Sequence, residues 1–246
     1  MNKIELPIEE AIRLYQNASV GKLVGGLVHN MNGPLHTLGI EMDVIGLLLR
    51  KNPDLDPEFV QGLSKRLNRM GEEFDRLNTL IRLTADRAEL SSQYSPAYID
   101  LNHVLQEEVE FLSANLYFKH QVETYLDLDP QLQTLRPKEA NLLLGVRWFV
   151  QGLVEEIETS EIRSLLIKTT TKQNRPTVLF QIKDGSLTEG FLQMLDHEPV
   201  SLLLTSAEFN NIGMCLALTL LKSSGVSLTL STASSLTEIY LSFPHS

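Results

Sequence analysis

His29 is the residue whose type and place could do chemistry. It stands in Leu27-Val28-His29-Asn30-Met31-Asn32-Gly33-Pro34-Leu35, inside a long helical pattern but off its apolar seam. An imidazole with an ordinary pKa of about 6.5 is largely neutral near pH 7, and its free ring nitrogen can attack phosphorus. A surface histidine without a task is the plain alternative, so the neighbours must decide between the two. Pro34 removes one backbone donor and is expected to kink the helix just beyond His29. Gly25 and Gly26, one turn earlier, leave room for something to dock.

The element that must position His29 is a long helix. Val24, Val28, Met31, Leu35, Leu38, Met42, Ile45 and Leu49 follow one another at alternating spacings of four and three, which is a heptad stripe. With Val28 at position a, His29 falls at b, roughly 100° around the helix, on a face that a coiled-coil partner leaves open. His36, seven residues on, shares that face and is a rival nucleophile without the motif that follows His29. A second stripe runs through Val60, Leu63, Leu67, Met70, Phe74, Leu77, Ile81, Thr84 and Ala88. Between the stripes, Lys51-Asn52-Pro53-Asp54-Leu55-Asp56-Pro57 stops one helix and opens the next. Residues 1–92 thus read as an antiparallel helical hairpin. Two helices cannot bury stripes of this length alone, so two hairpins are expected to pair into a dimeric four-helix bundle.

After the polar linker Ser91-Ser92-Gln93-Tyr94-Ser95-Pro96 the pattern changes, and residues 97–246 read as a second domain. Helices are expected near Leu101–Leu116, Pro137–Glu158 and Ile212–Ser223. Strands are expected near Gln121–Leu128, Ser164–Thr171, Thr177–Lys183, Ser227–Thr232 and Thr237–Phe243, with an irregular stretch up to Phe209. The fold class is therefore a helical hairpin followed by an α+β sandwich, with helices on one face of a mainly antiparallel or mixed sheet.

Composition narrows the partners. A formal charge of −10 argues against nucleic acid and against an anionic membrane surface, and favours a partner with a basic patch. No apolar run approaches the roughly eighteen residues of a membrane span, and Met1-Asn2-Lys3-Ile4-Glu5 does not begin a secretory signal, so a cytoplasmic protein is expected. The single cysteine, Cys215, lies in an apolar stretch and reads as core; a cytoplasm is reducing. No metal site is expected, since His103, His120, His197 and His245 have no ligand spacing between them.

Three further segments follow the histidine box in order. They are Trp148-Phe149-Val150-Gln151-Gly152-Leu153-Val154-Glu155-Glu156-Ile157, then Asp184-Gly185-Ser186-Leu187-Thr188, then Asn211-Ile212-Gly213-Met214. Taken singly, Asp184-Gly185 also fits a plain turn and Gly213 a tight helix entry. Together with His29-Asn30-Met31-Asn32-Gly33-Pro34-Leu35, the chain resembles the core of a sensor histidine kinase. That core is a dimerisation and histidine-phosphotransfer hairpin followed by an ATPase-like domain of the Bergerat fold. The type it resembles most is the histidine phosphotransferase with a degenerate kinase domain.

The resemblance implies that His29 is the phosphoacceptor, with Asn30, Asn32 and Pro34 beside it. It implies a nucleotide site from Gln151 and Glu155 in the asparagine box, Asp184 and Gly185 in the first glycine box, and Gly213 in the second. The departures carry information too. Asn30 replaces the family's acidic residue and cannot accept a proton at neutral pH, and Gly33 lacks the side chain that positions a water for dephosphorylation. Gln151 and Glu155 stand where asparagines hold magnesium and phosphate, and of the second glycine box only Gly213 is kept. The function expected is two-component signalling, with phosphoryl groups relayed between His29 and the aspartates of response-regulator receiver domains without a cofactor. The alternatives are a pseudokinase dimeric scaffold for a receiver or kinase, and a divergent active kinase using ATP and Mg²⁺.

Overall fold

The computed structural model describes residues 8–51, 57–89, 98–113, 115–136, 141–196, 212–233 and 236–244. The chain forms two compact units, residues 17–89 and residues 1–16 together with 90–246. Residues 8–16, expected in the hairpin, therefore group with the C-terminal stretch.

The hairpin unit is built from α1 (Ile8–Lys51), from its residue 17 onward, and α2 (Pro57–Glu89). Pro57 opens α2, where its missing N–H costs nothing, and α1 runs unbroken through Pro34. The stripes counted from sequence straddle the seam rather than coincide with it. On α1 the covered face is Pro34, Leu38, Glu41, Ile45 and Leu48; on α2 it is Phe59, Leu63, Arg66, Met70, Glu73 and Leu77. Both follow three-four spacing, yet each contains charged residues that an apolar count passes over. Glu41 is buried and accepts from Arg66 at 2.6 Å, with Arg69 at 3.5 Å, so the charge enters the seam already paired. The other half of each stripe stays uncovered: Leu35 and Met42 on α1, and Val60, Leu67, Phe74 and Ile81 on α2.

The second unit is a layer of helices on a mixed sheet. Asp100 caps α3 (Leu101–Leu112), its carboxylate accepting from the Asn102 and His103 N–H groups, and Asn115 caps the short α4 (Leu116–Gln121). The remaining elements are β1 (Glu123–Asp127), α5 (Leu142–Thr159), β2 (Ser164–Lys172), β3 (Arg175–Lys183), α6 (Glu189–Asp196), α7 (Ile212–Ser223), β4 (Ser227–Ala233) and β5 (Leu236–Ser242). Strand order is β1-β2-β3-β5-β4, with β1 parallel to β2 and the other pairs antiparallel. Alternation along β2 and β5 turns Leu165, Ile167, Ile239 and Leu241 inward. Ile167, Phe180 and Ile239 lie side by side across three strands, and Phe149 of α5 packs on Phe180 at 5.4 Å between ring centroids.

Helices α5 and α7 approach closely because glycine stands on the contact face of α5. A Cβ at Gly152 would lie 2.9 Å from Met214 Cε, and one at Gly145 3.1 Å from Leu220 Cβ. The sequence reading is extended here in two places. The short helix α4 precedes β1, and α6 lies inside the stretch read as irregular, with Phe191, Met194 and Leu195 buried at helical spacing. The segment 197–211, the linker 91–96 and the turn residues 52–56 lie outside the described residues.

Candidate functional site

The histidine box lies on α1. The side chains of His29 and Asn30 are outside the described residues, but the residues that share the His29 face are not. Asn32, Gly33 and His36, three, four and seven positions on, are all exposed, while Pro34 is buried in the hairpin seam. A Cβ at Gly33 would meet nothing within 4 Å. Thr37 donates from its hydroxyl to the Gly33 carbonyl at 3.2 Å, the back-bond of a helical threonine to the turn before it. Asn32 is thus at the surface, whereas Pro34 lies inside the seam.

The second group of expected residues sits at the head of α7. Gly213 occupies its first turn and is buried, and against it lies Tyr15 from the opening turns of α1, in the same compact unit. Tyr15 meets Trp148 of α5 edge to face, with centroids 4.9 Å apart and planes at 85°. Burial raises the Tyr15 pKa, and the Glu155 carboxylate raises it further, so the phenol stays neutral. Glu155 is linked in turn to Gln151, whose Nε2 lies 3.4 Å from Glu155 Oε1. Gln151, Glu155 and Gly213 are therefore brought to one place, together with a tyrosine that no motif marked.

Asp184 and Gly185 behave differently. Asp184 is exposed with a left-handed backbone, φ 56°, and Gly185 packs against Ile162, where a Cβ would lie 2.8 Å from Ile162 Cγ1. Such a pair is what a tight turn after β3 requires. The turn is fixed from α5 by Glu156, the residue after the expected Glu155. Its buried carboxylate accepts from the Thr188 N–H at 2.6 Å and from the Ser160 hydroxyl at 3.0 Å. The sequence reading gave Glu156 no role, since its partner Thr188 is 32 residues away.

Among the described residues, no three His, Cys, Asp or Glu side chains are grouped as a metal site, and no helix is long and apolar enough to cross a membrane. Cys215 is buried with its Sγ 3.5 Å from Met194 Sδ, and burial pushes its thiol pKa up.

No family model matches the chain, and no curated protein does. Solved structures do resemble it. One is described as a 1.7 Å structure of a bacterial phosphotransferase, 10% identical over 91% of this chain and 96% of that one, with a TM-score of 0.46. The Acinetobacter baumannii histidine kinase AdeS is 11% identical over 87% of this chain and 96% of that one, TM-score 0.42. The histidine kinase domain of the E. coli osmosensor EnvZ is 16% identical over 63% and 94%, TM-score 0.45. These values mark a distant likeness, and the function argued for this chain rests on its own residues.

Proposed function

We propose that the protein is a histidine phosphotransferase-like member of a two-component system. His29 takes a phosphoryl group from the aspartyl phosphate of a receiver domain and returns it to a receiver, without ATP. The observation that carries this reading is the open face of α1, on which Asn32, Gly33 and His36 are exposed in the turns following His29. Transfer from an aspartyl phosphate asks little else of this chain. An imidazole nitrogen attacks phosphorus as the bond to the aspartate oxygen breaks, and the carboxylate leaves; the receiver brings its own acidic pocket and metal.

The residues described at the head of α7 argue against a magnesium triphosphate. A phosphate approaching Gly213 would meet the Tyr15 ring, and Glu155 would place a like charge beside it. Asn30, next to the nucleophile, has no basic lone pair to take the imidazole proton during attack on ATP. Phosphate exchange with a partner is therefore favoured over self-phosphorylation.

The exposed residues Leu35, Met42, Val60, Leu67, Phe74 and Ile81 support a homodimer, since a second hairpin would cover them and complete a four-helix bundle. The lack of a membrane-crossing helix among the described residues agrees with a cytoplasmic place beside the receiver.

The test is to incubate the protein with phosphorylated receiver domains and, separately, with labelled Mg-ATP. Acid-labile, base-stable phosphate is then sought on wild type, His29→Ala and His36→Ala. We expect label from a receiver on wild type and His36→Ala and none on His29→Ala. Label from ATP would support a divergent kinase. Binding to a receiver without label from either source would support a pseudokinase scaffold instead.

A further inference from the structure

Tyr15 lies outside every motif read from the sequence, yet its ring is lodged between Trp148 and Gly213. Three surfaces meet there. Trp148 of α5 forms a wall, its indole buried and set in a T-shaped contact with the phenol ring. Gly213 forms the floor at the first turn of α7: a Cβ on it would fall inside the van der Waals radii of Tyr15 Oη and Cζ and come 3.0 Å from Cε1. Glu155 lies near enough for its charge to act on the phenol. Ile12, one turn before the half-buried Tyr15, is buried at 4% exposure, so the segment is seated by two side chains.

A clash that reached only the hydroxyl could be relieved by a small swing of the side chain. Here the ring atoms Cζ and Cε1 are involved and the ring is braced on Trp148, so relief needs the whole side chain to leave. The fit is that of a key in a notch.

We propose that Tyr15 is a plug built into the chain, filling the notch between Trp148 and Gly213 so that this notch opens to a ligand only when the start of α1 lifts away. The glycine is then required by a neighbour rather than by its own backbone, and the notch accepts no other ligand while the ring is in place. The plug does not rest on His29 being a phosphoacceptor, and either can fail alone.

The experiment uses the full chain and its only tryptophan, Trp148, as the reporter. Acrylamide quenching and the emission maximum are measured for wild type, Tyr15→Phe, Tyr15→Ala, Gly213→Ala and the Tyr15→Ala/Gly213→Ala double variant. Far-UV circular dichroism serves as a check of folding; Tyr15→Leu, which keeps apolar bulk, replaces the alanine variant if that one unfolds. We expect Tyr15→Phe to stay shielded. Tyr15→Ala should shift the emission to the red and raise the quenching slope by about twofold or more, as local opening exposes the indole. Gly213→Ala should open Trp148 in the wild-type background and add nothing once Tyr15 is alanine, because the added methyl then has room. Two results would overturn the plug: Trp148 as shielded in Tyr15→Ala as in wild type, or a Gly213→Ala effect of the same size in both backgrounds.

Discussion

A neutral phenol beside a carboxylate gives the molecule a pH signature that can be read at one residue. Burial, with Glu155 adding to it, raises the folded-state pKa of Tyr15 above the ordinary value of about 10. Below that ordinary value the phenol is protonated folded and unfolded, and its contribution to stability is complete. Above it the unfolded chain gives up the proton first, so stability falls as pH rises from there toward the folded-state value. Denaturant titrations between about pH 8 and about pH 11 should therefore show wild type losing stability relative to Tyr15→Phe, which has no proton to lose. A wild-type minus Tyr15→Phe difference that stays flat across that range would contradict this account. At the same scale, His29 and Asn32 could be marked from sequence because their types and spacing carry chemistry. Tyr15 and Glu156 could not. Their roles come from partners 133 and 32 residues away, Trp148 and Thr188, which no local pattern announces.

Among elements, the decisive pair is α5 and α7, whose close approach depends on Gly152. Replacing Gly152 with Val should press on Met214 and cost about 1–3 kcal/mol of stability, as overpacking of a tight contact does. Met214→Ala removes the opposing side chain and should recover part of that loss in the double variant; thermal or denaturant melts of the four proteins measure it. Equal losses with and without Met214 would show that the glycine is needed for another reason. Most elements were legible in advance, because α3, β2 and β5 carry a clear period while α5 and β3 are apolar runs bounded by polar residues. The short α4 and α6 were not, since six and eight residues are too few for a period to stand out. The hairpin seam shows a different limit. Its helices were plain, but its face was rotated off the counted stripe, because Glu41 and Arg66 neutralise each other and enter the seam where an apolar count expects only aliphatic residues.

For the whole molecule, the question is what covers the exposed half of the stripes. If a second hairpin does, Phe74→Asp should place a charge in an apolar bundle and drive the protein to monomer. Light scattering would then show a mass near 27.7 kDa for the variant and twice that for wild type, with the C-terminal sheet unchanged by circular dichroism. A wild-type protein that is monomeric at working concentration would remove the four-helix bundle. The amino-acid sequence by itself determined two long helices, a mixed α+β segment after them and a histidine on a helix face off the apolar seam. Each of these follows from periodicity and local chemistry, which act over a few residues. Only the tertiary structure decided that residues 8–16 group with the C-terminal part, that Tyr15 lies against Gly213 at the head of α7, and that Glu156 holds the turn after Asp184. Those outcomes are set by shape and charge meeting across long stretches of chain, and such meetings exist only once the elements have packed.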